Sequence, residues 1–464
     1  MAGKNTLQIR ARSYFRCGLV AAVVALGVTC LSETSLGSSP PTGPVSATPA
    51  SGTPSLATTG STEQIRQLVQ CGGTMYAVGS FTEISWAGTT YGRNNIFSFS
   101  ATSPFTMTSW NPDVNGTVNS IAFNGTNCAD AYIGGQFTSV GTTPVKNIAE
   151  VDTTAGAVVT AFGHSASAKV ETLLGAGGHI IVGGYYKSIN GSTADPYMTS
   201  LSPSTGLDDG FIHLGISGHY DYSGVTSSTT NIYNQALSAT KQYDLVMGDF
   251  LSVAGLARQQ IFMLNLSTTP ATVTGWTSPE WDGSQGGAYP YQCAPNESFY
   301  IRAASWSPGD QTIYIATTGY HANGYPTGAT PRQGLCDAAA AFPATINPPS
   351  GYVLHSWVNY TGCDSLYAAA ADASTAYFAG HERWSENPND CDAEGPGAIP
   401  APGFEGLSPT NGSLTFNPTR ARGIGADDLL LTSAGLWIAS DNYKGSAMCG
   451  GKTGHAGICF LPYG

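Results

Sequence analysis

One short motif recurs along this chain and limits its possible folds more than any other feature. An apolar run leads into a Gly-x-aromatic step and a turn: MYAVGSFTEI at Met75 to Ile84, YIGGQFTSVG at Tyr132 to Gly141, IIVGGYYKSING at Ile180 to Gly191 and LVMGDFLSVAG at Leu245 to Gly255. With Phe81, Phe137, Tyr186 and Phe250 in register, the copies fall roughly 50 to 65 residues apart, the period of a unit repeated as a solenoid or a propeller. The flanks decide between these. A short apolar run precedes each copy, as in Ile65 to Val69 and Val118 to Phe123, and a third follows, as in Asn95 to Phe99 and Asn147 to Val151. After a turn such as DTTAG (Asp152 to Gly156), a fourth run ends the unit at Met107 to Trp110, Ala157 to Thr160 and Val273 to Trp276. Four short strands per unit with Gly-marked turns predict a propeller blade. No 3.6-residue stripe or periodic Leu supports a helical or leucine-rich array.

Later units are less regular. The fifth is expected at Tyr300 to Trp306 and Thr312 to Thr317, with a long insertion over Asn323 to Pro348. The sixth runs through Asp364 to Ala368, Ala376 to Gly380, Phe404 to Leu407 and Ser413 to Phe416. The seventh has Asp428 to Thr432, Gly435 to Ser440 and Gly457 to Leu461, and is one strand short. An open edge leaves backbone groups unpaired, so the segment just before Gln64 is expected to supply the missing outer strand. The predicted fold class is all-β: a seven-bladed β-propeller of four-stranded antiparallel blades over residues 63–464. Gly (58), Tyr (23) and Phe (17) are abundant and only 10% of residues are charged, which suits strands joined by tight turns. Residues 1–31 read as a secretory signal, with Lys4, Arg10, Arg12 and Arg16 ahead of an apolar stretch from Gly18 to Val28. Residues 32–62, nearly all Ser, Thr, Pro, Gly and Ala, read as a flexible segment.

Beyond Cys17 and Cys30 there are eight cysteines, an even number that predicts disulfides in an exported chain. Cys71 and Cys128 fall between first and second strands of neighbouring units and can face each other, and Cys449 and Cys459 share one loop-strand unit. The other four allow three connectivities; proximity within a unit pairs Cys293 with Cys336 and Cys363 with Cys391. No pair has CxxC spacing, so zinc is not expected. The formal charge is −12 and the lysines are scattered. A nucleic-acid binder needs a basic face and an anionic membrane attracts one, so both partners are excluded, leaving neutral polymers or cationic partners.

Chemistry-bearing motifs are mostly absent. There is no GxSxG and no GxGxxG, and His381-Glu382 starts like a zincin helix but has Ser385 at the second ligand position. No cofactor is expected. The acidic loop Glu386 to Glu394 offers oxygen ligands without the alternate spacing of a calcium loop, and reads as a solvated turn. Two stretches depart from the repeat. Gly380 to Trp384 (GHERW) puts His381, Glu382, Arg383 and Trp384 where other units carry Gly-x-aromatic, combining a flat apolar face with donors and acceptors. Asn417 to Gly425 (NPTRARGIG) brings Arg420 and Arg422. Tyr320, His321, Trp357 and Tyr443 near loops can stack on sugar rings. The structural alternative has the arginines pairing with Glu382 or capping carbonyls, and the aromatics filling gaps between blades.

The run TGCDSLYAAA…YFAGHERW, with LSPTNGSLTFNPTRARGIGADDLLLTSAGLWIASDN after it, resembles exported actinobacterial β-propellers built from delta-60-type repeats, in which a Gly-Gly-His-x-Arg-Trp blade precedes an Asn-Pro-x-Arg segment. The resemblance covers most of the chain. Cys363 and Cys391 depart from it, replacing polar residues, and the fourth unit is irregular. Similar propellers are the lectin subunits of secreted Streptomyces umbrella toxin particles, where the resemblance implies recognition of target surfaces. The expectation is a secreted, non-enzymatic module that binds cell-surface glycans, alone or as a subunit of a secreted complex. The alternatives are a polysaccharide lyase or glycosidase with its site over the propeller channel, and a structural envelope protein.

Overall fold

The computed structural model describes residues 43–57, 62–220, 228–281, 301–319, 335–388, 391–418, 420, 422–443 and 449–464. The expected signal sequence, Cys293, Tyr320 and His321 lie outside the described residues, as does much of the expected insertion. Among the described residues there is no α-helix, and no helix long and apolar enough to cross a membrane.

The strands form successive antiparallel meanders. The first sheet holds Gln64–Cys71, Thr74–Ser80 and Ile96–Ser100; the second holds Thr117–Asn124, Asn127–Gln136 and Ile148–Asp152; the third holds Val170–Ala176, His179–Gly184 and Met198–Leu201. The fourth adds a fourth strand to this plan: Asn231–Leu237, Tyr243–Asp249, Ile261–Asn265 and Thr272–Val273. So do the fifth (Ile301–Trp306, Thr312–Thr317, Ala338–Pro343, Trp357–Tyr360) and the sixth (Leu366–Ala371, Ala376–Gly380, Glu405–Leu407, Leu414–Phe416). The seventh has Asp428–Thr432, Gly435–Ala439 and Ile458–Pro462. The first strand of each sheet packs against the first strand of the next, and Asp428–Thr432 packs against Gln64–Cys71. Sheets stacked face to face in this way make a β-propeller.

Burial follows from that stacking. Second strands are flanked on both faces and bury continuous runs, such as Met75 to Gly79 and Ile180 to Gly184. First strands alternate, with one face turned to the centre. The core lies between sheets, where aromatic rings interleave: Phe99 and Phe105 meet Trp437 at 5.7 and 5.6 Å, joining the first sheet to the seventh.

The recurring motif is the second strand and the hairpin after it. After the first sheet's second strand, Glu83–Trp86 pairs with Thr89–Gly92 in a small sheet of its own, and shorter hairpins follow the second strands of the second and fourth sheets. Phe81, Phe137, Tyr186 and Phe250 are all buried beneath this step. The glycine two residues earlier is needed for room. A Cβ on Gly79, Gly135, Gly184, Gly248 or Gly380 would overlap the carbonyl oxygen of Gln64, Thr117, Lys169, Asn231 or Ser365, respectively. None of these glycines has positive φ, so the requirement is space and not backbone conformation.

Several expectations need correction. Uniformly four-stranded units are not seen: in the first three sheets the fourth run is reduced to the single bridges Phe99–Met107, Val151–Val158 and Leu201–Asp208. In the first sheet the chain leaves its ladder so that Trp110 can wedge beside Tyr76, 5.2 Å away, and donate its indole N–H to Asp152 O. The expected insertion over Asn323 to Pro348 contains the third strand of the fifth sheet. Its run Ala338 to Ala341 is a weak strand former by propensity, but all four residues are fully buried and small enough for the neighbouring sheets to close over them. Ordered chain also begins before Glu63. Ser46 and Ala50 donate their N–H to Pro462 O and Phe460 O, so residues 46–50, further from Gln64 than the sequence predicts, run along the outer edge of the seventh sheet and satisfy part of its open edge. This segment is fastened where Val45 N–H reaches Tyr377 Oη at 3.1 Å, while Tyr377 and Tyr463 both donate to Asp372 Oδ2.

Disulfides join Cys71 to Cys128, Cys363 to Cys391 and Cys449 to Cys459. The first links neighbouring sheets across a Cα separation of 5.8 Å. Cys336 is also disulfide-bonded.

The packing at Gly135 is directly testable. Gly135→Ala forces a Cβ against Thr117 O, and is expected to cost roughly 1–3 kcal/mol in chemical denaturation. Gly88→Ala, where a Cβ meets nothing within 4 Å, is expected to cost less despite its positive φ.

Candidate functional site

All seven first strands, with the residues beside them, line one cavity of roughly 440 Å³. It is made by β-bulges. In the first sheet Ile65 pairs with Gly79 and Gln67 with Val78, leaving Arg66 as the extra residue. The same shift leaves Asn119, Glu171, Tyr233, Arg302 and Tyr367 over in the second to sixth sheets. A bulge bends its strand and re-aims the extra side chain, and all six line the cavity. The seventh sheet pairs without a shift and contributes Asp427 and Asp428.

One arc of this wall is a connected polar chain. Arg66 Nη1 donates to Asn119 Oδ1 at 2.6 Å, and Asn119 Nδ2 donates to Glu171 Oε2 at 2.6 Å. Lys169 pairs with Glu171 Oε1 at 2.5 Å and lies 4.3 Å from the centre of the Tyr185 ring. The other arc is aromatic: the Arg302 guanidinium sits 5.5 Å from the Tyr233 ring centre and 5.6 Å from that of Tyr367. Between the arcs, burial pushes the Asp427 carboxyl up to about 6, although the charges of Arg66 and Arg302 pull it down. Burial likewise lifts Asp428 to about 6, against the Leu68 N–H that donates to its Oδ2 at 2.9 Å. Asn231 is 4% exposed and its Oδ1 has no partner among the described residues.

Of the residues singled out from sequence, those that are described lie elsewhere, and none of them lines this cavity. Arg383 makes a two-point contact with Asp364, Nε to Oδ2 at 2.6 Å and Nη2 to Oδ1 at 2.9 Å, and also binds Asp392. Its guanidinium lies 4.4 Å from the Trp384 ring centre. Arg422 binds the same Asp364 at 2.6 Å and donates to His381 O. Burial and the Arg422 charge lower the pKa of His381. Glu382 occupies the register position held by Phe81 and Phe137 elsewhere and is fully buried; the charge of Glu405, also fully buried, reaches it. Arg420 is 2% exposed and feels the charges of Asp441 and Glu382. Trp357 donates its indole N–H to Pro409 O at 2.9 Å and packs edge-on against Phe378. Tyr443 donates its backbone N–H to Asp441 Oδ1. In the acidic loop, Glu386 accepts Leu414 N–H and Asn387 binds Ala393 O. Among the described residues no group of three or more His, Cys, Asp or Glu is arranged to hold a metal ion.

The cavity residues do leave a trace in sequence. Each bulged residue follows the first buried apolar residue of its run: Ile65-Arg66, Val118-Asn119, Val170-Glu171, Ile232-Tyr233, Ile301-Arg302 and Leu366-Tyr367. Their chemistry differs from unit to unit, so comparing repeats by residue type passes over them.

No protein-family profile matches the chain. Over 80 residues it is 32% identical to the pH-response regulator protein palI/RIM9 of Debaryomyces hansenii, a stretch covering 17% of this chain and 22% of that protein. Among solved structures, it is similar to the WD40 β-propeller domain of Doa1 (10% identity, TM-score 0.34, 88% of this chain and 96% of that one). It is also similar to the β-propeller domain of Myceliophteria thermophila Cps50 (Swd1) (6% identity, TM-score 0.44, 88% and 98%). These likenesses are remote, and the architecture rests on the strand order and packing described above.

The buried acids predict a pH effect. Burial lifts Glu405 to about 8, with Glu386 adding to the rise and Ser385 opposing it. A carboxyl whose folded pKa lies above its unfolded value favours the fold at low pH, and this contribution is lost as pH rises from the unfolded value to the folded one. Relative to Glu405→Gln, the parent protein is therefore expected to lose stability between about pH 5 and 8, by up to about 1.4 kcal/mol per pH unit. Denaturation midpoints of both proteins across that range check this.

Proposed function

We propose that this chain is a secreted binding module, a closed seven-bladed propeller that takes a glycan at the cavity where its seven first strands meet. The observation that carries the reading is the composition of that wall. Tyrosine rings offer flat apolar faces to sugar C–H groups, while Asn, Arg, Lys and carboxylate side chains supply the convergent donors and acceptors that hydroxyls need. Closure is supported by packing of the seventh first strand on the first, and by residues 46–50 running along the seventh sheet's outer edge. Export is supported by the disulfides, which persist in oxidising compartments. A role as the target-recognising subunit of a larger secreted complex, as in the propellers the sequence resembles, fits a module whose outer surface is left for partners.

A second reading has one observation in its favour. Asp427 and Asp428 hold carboxyls with pKa values near 6 in the cavity wall, where they suit acid–base work on a polysaccharide.

Glycan-array binding and a reducing-end assay separate the two. Retention without turnover is expected, and Tyr185→Ala is expected to weaken it by about tenfold. New reducing ends or unsaturated products favour the enzyme, and retention of no glycan at all removes the glycan reading.

A further inference from the structure

Within the cavity one cation stands apart from the rest. Arg66 is engaged with Asn119, and Lys169 with Glu171 and Tyr185. Arg302 is met by two aromatic rings: its guanidinium carbon lies 5.5 Å from the centre of the Tyr233 ring and 5.6 Å from that of Tyr367. Its Nε is buried without a partner, and among the described residues its side chain donates no hydrogen bond and forms no ion pair. Its backbone is tied down, because Asn234 Nδ2 donates to Arg302 O at 2.9 Å. The bulge between Ile301 and Ala303 aims the side chain inward.

A guanidinium that contacts two rings and spends no hydrogen bond on its own protein keeps its N–H edge unspent. That edge matches two coplanar oxygens, and a carboxylate supplies them at the spacing a two-point pair requires. Leaving such donors unanswered in a partly enclosed wall costs free energy that a ligand oxygen recovers. Asp427 feels the charge of Arg302 from the same wall but forms no ion pair with it, so it does not take up the two-point edge of the guanidinium.

Building on the glycan reading, we propose that the cavity recognises a carboxylate-bearing sugar, of uronic-acid type, at the end of an otherwise neutral glycan, with Arg302 gripping the carboxylate beside Tyr233 and Tyr367. The terminal position follows from size and charge. A cavity of roughly 440 Å³ accommodates one or two sugar rings, and a chain of formal charge −12 repels a polyanion while tolerating a single carboxylate read at contact. The remaining polar arc from Arg66 to Glu171 then faces the ring hydroxyls.

The test uses the full exported chain on an array of glycans ending in glucuronate or galacturonate, with their methyl esters, their neutral hexose counterparts, and peptides with free C-termini. Acid-ended glycans are expected to be retained, with binding falling at least tenfold for the methyl ester and for Arg302→Gln. Arg302→Lys is expected to recover only part of the loss, because it restores charge without the planar fork. Unchanged melting temperatures show that the variants fold; if Arg302→Gln unfolds, the acid-versus-ester comparison on the parent protein decides. Equal retention of acid, ester and hexose overturns this inference and leaves the glycan reading standing. Retention of nothing overturns both, and retention of the peptides in place of the sugars overturns the sugar assignment.

Discussion

A carbonyl oxygen pressed against a residue with no Cβ is the contact on which the cavity depends. In five sheets the first strand bulges, and the carbonyl just before the bulge leans on the glycine of the neighbouring strand. In these five sheets a Cβ at the glycine would overlap that carbonyl, so the missing side chain lets the two strands approach where the extra residue turns into the wall. The glycine that repeats so visibly in sequence therefore lies behind the cavity wall. The fifth sheet bulges opposite Thr317, and the seventh pairs without a shift opposite Ala439. Acids at the mouth of the seventh sheet take the place of a bulged residue there.

Around that centre the molecule is stabilised by stacking. Each sheet is covered on both faces, so its second strand can be wholly apolar, and even a run of alanines becomes a strand when neighbouring sheets seal it. The edge that stacking leaves exposed is the outer one. In the seventh sheet that edge is met by residues 46–50, bringing chain far apart in sequence together and tying both to Tyr377 and Asp372 in the sixth. Where the repeat gives up its buried aromatic, as at Glu382, the cost of a buried carboxyl is met by raising its pKa instead of by pairing it in an exposed salt bridge.

The stretches that looked most like a recognition surface turn out to be joints. Arg383 and Arg422 converge on Asp364, a carboxylate only 3% exposed, and so fix the loop after the sixth sheet's second strand to the segment entering the seventh. Trp357 and Arg420 are consumed in the same way, by packing and by charge. Arg302, which contacts two rings but is not hydrogen-bonded among the described residues, is the opposite case, and local sequence gives no hint of the difference.

The repeat period, the glycine positions and the Cys71–Cys128, Cys363–Cys391 and Cys449–Cys459 pairs were all legible in sequence, because each reflects a local rule: alternation, turn chemistry, or proximity within one unit or between neighbouring ones. Three things were not. The strand at Ala338–Pro343 exists only because neighbouring sheets bury it, against its own propensity. The attachment of residues 46–50 to the seventh sheet is long-range backbone pairing, which reads the same for almost any side chain. The cavity gathers one differently chosen residue from each sheet, so no single stretch contains its chemistry. Only folding brings Arg66, Asn119, Glu171, Tyr233, Arg302 and Tyr367 to a common wall, since the bulges that aim them arise from pairing between strands and from no one strand alone.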